Sequence, residues 1–265
     1  MRYREAAVRR DELRRRVEQQ GYVASRSVAA ELGVSDMTVR RDLDQLAEQG
    51  LVLRVVGGAR RPDGAPFVTR AVAAAAAKEQ VGALAAGLLA GELVGPGAVV
   101  ALDAGTTVEQ VARRLPGGLT VVTHSVPVMA ACADREDLTL VGLGGGYHAP
   151  TRSFGGPETC AQLAGLAVDL AVLSASALRN DGLSCHDATE AATKRALLAA
   201  AAQVLVVADA GKLGARAPVH VAGWDAVDGL VTDDGLDDRG RARLARWAPR
   251  VPVRTPAGRL DPEPR

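Results

Sequence analysis

From residue 98 onward the chain alternates short aliphatic segments with helical stretches, and this alternation limits its fold more than any other feature. The segments are AVVALD (98–103), LTVVT (119–123), LTLVGLG (138–144), DLAVLSA (169–175), VLVVAD (204–209) and GLVTD (229–233). Helical patterning near 106–115, 126–133, 158–166, 188–202 and 236–247 separates most of them. Strands apolar on both sides must be buried on both sides, which predicts a mainly parallel sheet with helices on each face. An Ala-rich helical stretch (about 71–90) precedes the first strand, and no fixed-period repeat is visible.

A break at GGARRPDGAP (57–66) separates this body from a different head, because Gly and Pro interrupt both kinds of patterning there. The expected organisation is a head over 1–60, a linker over 61–70, a body over 71–255 and a loose Pro-rich tail over 256–265. Residues 1–61 carry 13 Arg against 9 Asp and Glu, while the rest of the chain is slightly acidic. A basic head on an acidic body points weakly to nucleic acid. No apolar run approaches the ~18 residues of a membrane span. The first residues, MRYREAAVRRDELRRR, lack the apolar centre of a signal peptide. Cys132, Cys160 and Cys185 form no paired framework, so a cytoplasmic protein is expected.

In the head, Ser35 can cap a helix in which Val39, Leu43 and Leu46 share one face. The other face carries Met37, Thr38, Arg41, Asp44, Gln45 and Glu48, with Arg40 on its flank. Upstream, SRSVAAELG predicts a second helix with Val28 and Leu32 inward, and Gly33 supplies the tight turn between the two. That spacing is helix-turn-helix. A third helix is expected over residues 3–20, and GLVLRVVGG predicts a two-stranded wing. A helical hairpin with solvated arginines has the same periodicity; the cap, turn, arginine pair and wing together favour DNA.

In the body, LDAGTTVEQVA (102–112) ends a strand and opens a helix through Gly105, Thr106 and Thr107. Its backbone N–H groups and hydroxyls suit a phosphate, and Asp103 suits sugar hydroxyls. GLGGGYHAP (142–150) is no dinucleotide fingerprint, because Pro150 stops a helix from starting there. A strand-end turn or close approach to a ligand explains its glycines better. Only three of the 32 basic side chains are lysines, Lys78, Lys194 and Lys212; a compact ammonium gives a lysine roles an arginine cannot fill, though for any one of them alone chance survival of a rare residue is the simpler reading.

The stretch GVSDMTVRRDLDQLAEQGLVLRVVGGA closely resembles the winged helix-turn-helix of DeoR-type transcriptional regulators, and the resemblance runs through most of the chain. It implies that the second helix of the motif enters the major groove of a double-stranded operator, with Ser35, Thr38, Arg40 and Arg41 facing DNA. Val56 stands where that family often has His. The DAGTT turn, the glycine run, Lys194 in EAATKRALL, Lys212 in VADAGKLG and Thr232-Asp233 also resemble the family's effector domain. Lys78 matches too, with a helix-surface role expected. The implied fold is α/β, of the ribose-phosphate isomerase, glucosamine-phosphate deaminase and CoA-transferase type. The implied effector is a phosphorylated sugar or related metabolite, held by Asp103, Gly105, Thr106, Thr107, His124, Gly144, Gly145, Lys194, Asp209 and Lys212. This sequence departs from the pattern at His124, where Asn is common, at LSASAL, which lacks a Gly-rich turn, and at LSCHDATE.

The expectation is a repressor, a dimer or tetramer assembled by its body, that leaves DNA when the metabolite binds. Two alternatives are a sugar-phosphate-converting enzyme and a DNA binder without a ligand. Asp103, His124, Glu190 and Asp209 are possible acid–base groups, but fold analogy alone cannot supply activity. Consecutive Cys185-His186-Asp187 cannot normally converge on one atom, and a polar loop is the simpler reading. His124, His148, His186 and His220 lack metal-ligand spacing, and neither a metal nor a cofactor is expected.

Overall fold

Helical periodicity in the first 60 residues resolves, in the computed structural model, into α1 (Arg2–Gln20), α2 (Ser25–Leu32) and α3 (Asp36–Glu48). The structure describes residues 2–20, 22–48, 51–60 and 67–260. It divides into two compact units, residues 1–70 with 149–151, and residues 71–148 with 152–265. In the first unit Leu13 and Val17 of α1, Val28 of α2, and Val39, Leu43 and Leu46 of α3 form one core. Gly33 ends α2 with φ +64°, a conformation that needs no Cβ, and the chain turns into α3.

The expected wing is larger than two strands. β1 (Tyr22–Ala24), β2 (Leu53–Val55) and β3 (Gly58–Arg60) form an antiparallel sheet in the order β1-β3-β2, with Val23 opposite Ala59. Three residues between two helices are too few to show a period of two, so β1 is silent in the sequence. Residues 61–66 of the expected linker lie outside the described residues, and 67–70 are already helical in α4 (Phe67–Val72).

The second unit continues with α5 (Ala75–Leu88), β4 (Val99–Leu102), α6 (Thr106–Ala112), β5 (Thr120–Thr123), α7 (Val126–Cys132) and β6 (Thr139–Gly142). A hairpin, β7 (Gly146–His148) and β8 (Ser153–Gly155), leads to α8 (Pro157–Ala164) and β9 (Val168–Ser174). Then follow β10 (Ala177–Arg179), β11 (Gly182–Cys185), α9 (Ala188–Ala200), β12 (Ala201–Val207), β13 (Val219–Ala222) and β14 (Gly229–Val231). The last elements are α10 (Asp238–Trp247), β15 (Val253–Thr255) and β16 (Gly258–Leu260).

Eight strands make the main sheet in the order β16-β15-β14-β12-β9-β4-β5-β6, parallel except for β16. Successive strand residues alternate between two cores. Ala171 and Leu173 of β9 pack with Leu163, Leu197 and Leu244 of α8, α9 and α10, whereas Leu170 and Val172 pack with Val81, Val111 and Val128 of α5, α6 and α7. The expected parallel sheet with two covered faces is present. β10, β11 and β13 form a separate antiparallel sheet that the sequence patterning did not reveal. Among the described residues no helix is long and apolar enough to cross a membrane.

The expected loose tail needs correction. Thr255 pairs with Gly258 and Val253 with Leu260, so β16 folds back on β15 as an edge strand, and the body extends at least to Leu260. Pro256 and Ala257 are the turn between them, a position where Pro is favourable for its fixed φ. Residues 261–265 of that tail lie outside the described residues.

Helices α5 and α6 touch closely at Gly82, where a Cβ would lie 2.5 Å from Gln110 Cβ. Gly87, in the same helix, is exposed with nothing within 4 Å of its Cβ position. Gly82→Ala should therefore cost about 1–3 kcal/mol as the helices are forced apart. Gly87→Ala should stabilise by roughly 0.5–1 kcal/mol through helix propensity. Urea unfolding of the two variants checks both signs.

Candidate functional site

The first site is the outer face of α3. Ser35 accepts a bond from the Thr38 amide (3.1 Å), and its hydroxyl lies 2.8 Å from Thr38 Oγ1, so both side chains serve the start of the helix. Arg40 and Arg41 are exposed, as the periodicity requires. Arg40 is paired with Asp36 one turn back (3.0 Å), however, while among the described residues no polar partner holds Arg41. Sequence reasoning missed Asp42. It is buried on the flank of the core face and receives Arg9 Nε at 2.5 Å, with Arg10 Nη1 at 3.5 Å, which fastens α3 to α1. Arg54 of β2 donates to Asp44 (2.7 Å) and to the Gly58 carbonyl, joining α3 to the wing. Val56 stands fully exposed at the wing tip beside Gly57, whose φ is +81°.

The second site lies along the carboxyl ends of the parallel strands. Chain order runs outward from β4 to β5 and β6, then returns to the other side of β4 with β9, β12 and β14. The reversal falls between β4 and β9, and in open parallel sheets the crevice at such a reversal is where ligands bind. Asp103 ends β4 there and is fully buried. Its Oδ2 accepts the Lys194 ammonium and the Ser174 amide and hydroxyl (both 2.9 Å), and its Oδ1 lies 3.3 Å from His124 Nε2. Lys194 of α9 also donates to the Ser174 carbonyl (2.9 Å) and hydroxyl (3.2 Å) and lies 3.4 Å from Glu190. Burial alone would push the Asp103 carboxyl up, but Lys194 and then His124 hold it well below the usual carboxylate range. Burial likewise works against the Lys194 charge, and Asp103 with Glu190 raise its pKa nonetheless.

The structure thus brings Asp103, His124 and Lys194 together, with a member the sequence did not single out, Ser174. Its only trace was the departure LSASAL. Gly105 serves the same cluster, because a Cβ there would meet Ser174 Oγ at 2.6 Å. Two expected roles change. Asp103 Oδ2 is filled by Lys194 and Ser174 while Oδ1 faces only His124, and Lys194 has no hydrogen-bonding capacity open to a phosphate, since its protons go to Asp103 and to the Ser174 carbonyl and hydroxyl. His124 Nδ1 faces the Phe154 carbonyl at 2.7 Å and Nε2 faces Asp103, so both contacts are hydrogen bonds only when both ring nitrogens carry protons.

Thr106 and Thr107 follow Gly105 in the first turn of α6 and are largely buried. Gly144 is tied to α8: its carbonyl accepts Thr159 Oγ1 (2.7 Å) and its amide donates to Gln162 (3.3 Å). At Gly145, with φ +141°, a Cβ would lie 2.3 Å from Thr159 Oγ1. The glycine run is therefore a strand-end turn packed on α8. Asp209 and Lys212 sit beyond β12, with Lys212 Nζ 4.0 Å from an Asp209 oxygen that has no hydrogen-bond partner. Lys78, expected on a helix surface, is buried and donates to the Ala73 carbonyl. Among the three lysines, Lys212 alone is partly exposed, and only the loose pair with Asp209 holds its ammonium.

The Cys185-His186-Asp187 stretch is no nucleophile set. Cys185 is buried, and burial followed by Glu190 pushes its thiol up to about 12. Asp187 caps α9 through the Thr189 and Glu190 amides. No cluster of metal-ligating side chains occurs among the described residues.

Residues 9–64 match the DeoR-like helix-turn-helix domain, and residues 73–234 match the DeoR C terminal sensor domain. The chain belongs to the DeoR family. It is a DNA-binding transcription regulator with the two domains of that family. Among DeoR-family relatives, the chain is 34% identical to the uncharacterized HTH-type transcriptional regulator YgbI of Escherichia coli, over 87% of this chain and 91% of that one. It is 32% identical to the glycerol-3-phosphate regulon repressor of Escherichia coli, over 82% and 86%. Among solved structures, ribose 5-phosphate isomerase A of Methanocaldococcus jannaschii aligns over 53% of this chain and 55% of its own, with 18% identity and a TM-score of 0.37. The sorbitol operon regulator SorC of Klebsiella pneumoniae aligns over 77% and 89%, with 15% identity and a TM-score of 0.33. The α/β architecture of this DeoR-family body stands on its own strand order.

Asp103→Asn should destabilise the chain by about 3 kcal/mol or more, because it leaves a buried ammonium without its main counter-charge. Asp103 has a lowered pKa when folded, so its contribution is present above roughly pH 4 and is lost as the pH falls further. Lys194 has a raised one, so its contribution is complete below roughly pH 10 and is lost at higher pH. The stability gap between wild type and variant, measured by urea unfolding across pH, should be widest inside that window and close on both sides.

Proposed function

We propose that the chain is a repressor that leaves its operator when a phosphorylated sugar, or a related phosphorylated metabolite, binds at the carboxyl ends of its sheet. The observation that carries this reading is the difference between the lysines at that edge. Lys194 is buried and bonded to Asp103 at the β4–β9 reversal, whereas Lys212 makes only a loose 4.0 Å ion pair with a buried Asp209 oxygen that accepts no hydrogen bond. In this reading Lys212 and the Gly105-Thr106-Thr107 backbone hold the phosphate, and Asp209 accepts from a sugar hydroxyl. Asp103, Lys194, His124 and Ser174 shape the crevice without touching the ligand, and Gly144 and Gly145 support it from α8.

A relative named as a glycerol-3-phosphate regulon repressor supports both the repression and the phosphorylated class of effector. Sensing rather than turnover fits a site whose carboxylate and ammonium neutralise one another and whose thiol stays protonated. The regulator works in the cytoplasm as a homo-oligomer, a dimer or tetramer joined through its body. Two heads can then occupy half-sites about one helical turn, ~10 bp, or a multiple apart.

Thermal unfolding with triose, pentose and hexose phosphates, each beside its unphosphorylated parent, tests the reading. A ligand at a hundredfold excess over its Kd adds about 2.7 kcal/mol. That should raise the melting temperature by roughly 5–10 °C for a body of this size. Lys212→Ala should lose the response and still bind duplex DNA selected from a randomised pool. Stabilisation by the unphosphorylated sugars alone, or turnover of the phosphate, would overturn the proposal.

A further inference from the structure

We infer that Met37 is a base-reading residue that contacts the 5-methyl group of thymine, beside a guanine read by Arg41. The inference rests on what α3 leaves available. With Val39, Leu43 and Leu46 at its buried centre, the opposite line of the helix runs through Met37, Arg41 and Asp44, at i, i+4 and i+7. The other candidates around that face are already occupied. Ser35 and Thr38 cap the helix, Arg40 holds Asp36, Asp44 receives Arg54, and Gln45 receives Arg10 at 2.8 Å. Among the described side chains on the outward face of α3, Met37 and Arg41 are left without a polar commitment.

Met37 is 59% exposed, in the first turn of the helix. An unbranched thioether held in water at that point gains nothing from the free protein. Recognition helices place their N-terminal residues on base edges, and thymine is the base whose major-groove edge carries a methyl group. A flexible apolar side chain suits that methyl and offers the other bases no donor and only a weak thioether acceptor. Arg41, one turn on along the same line, has the forked donors that match the paired acceptors of guanine. The two contacts together predict a thymine close to a guanine in each half-site. Phosphate contacts by neighbouring arginines would add affinity without adding sequence information.

The test uses the full chain. Sites are selected from a randomised duplex pool with wild type, Met37→Ala and Met37→Leu, and deoxyuridine then replaces each thymine of the wild-type site in turn. One thymine per half-site should show about a fourfold loss of affinity on removal of its methyl, the worth of one buried methyl group. Met37→Ala should abolish that penalty and relax the preference at that base alone, while Met37→Leu should keep it. Melting curves matching wild type establish that the variants are folded, as expected for so exposed a position. No penalty at any thymine in the wild type, or an unchanged penalty in Met37→Ala, would overturn the inference while leaving sequence-specific binding intact. Failure of any sequence to enrich would remove the reading helix itself, and Met37 with it.

Discussion

The ion pair between Asp103 and Lys194 is the constraint on which the body depends. It joins the end of β4 to α9 through a carboxylate and an ammonium that are both buried, with Ser174 of β9 bonded to each. Two buried charges repay their desolvation only in good geometry with the remaining valences filled. Ser174 bonds Lys194 and Asp103 Oδ2, His124 faces Oδ1, and the missing side chain of Gly105 leaves room for Ser174. This is also where a lysine differs from an arginine: three compact donors converge on one carboxylate, one hydroxyl and one carbonyl, which a planar guanidinium would not span. Asp103, His124 and Ser174 at three strand ends and Lys194 of a helix are thereby fixed relative to one another before any ligand arrives.

The head solves a similar problem with arginine. α3 must keep its acids from repelling a polyanion, and each acid whose side chain is described is matched: Asp36 with Arg40, Asp42 with Arg9 and Arg10, Asp44 with Arg54. The pairs differ in consequence. The part-exposed Asp36–Arg40 pair contributes little to stability, as surface pairs do. Buried Asp42 sets the position of α3 on α1, and Asp44–Arg54 carries that position on to the wing. Nη1 of Arg10 lies between Asp42 and Gln45, so one side chain of α1 braces two positions of the reading helix.

The larger architecture was legible because it rests on local patterns. Strands apolar on both faces announced a sheet with two cores, and Ser35, Gly33 and the Val39-Leu43-Leu46 stripe announced the helix-turn-helix. β1, β10, β11, β13 and β16 escaped because three or four residues cannot display a period, and β1 and β13 pair with strands distant in sequence. At the sites, residue types and places were readable but their availability was not. Asp103 and Lys194 have the chemistry of ligand contacts, yet each is engaged inside the protein by a partner that no spacing rule picks out, whereas Ser35 and Arg40 are engaged by neighbours three and four residues away. Ser174 lies 71 positions from Asp103, and Arg9 lies 33 from Asp42.

That distinction between chemistry and availability also bears on regulation. An effector alters DNA affinity only if it binds the DNA-competent and DNA-free forms differently, and the coupling is reciprocal. Groups already locked in the floor of a crevice bind both forms with the same internal contacts and contribute no difference. Only groups that change partners can. In the body, the loose Lys212–Asp209 pair, at 4.0 Å and with an unfilled carboxylate oxygen, has that freedom. Asp103–Lys194 lacks it, because releasing either partner would strand a buried charge. Under the proposed reading, the rigid pair supplies the frame, and the looser pair beyond β12 is the one free to change partners when the effector binds.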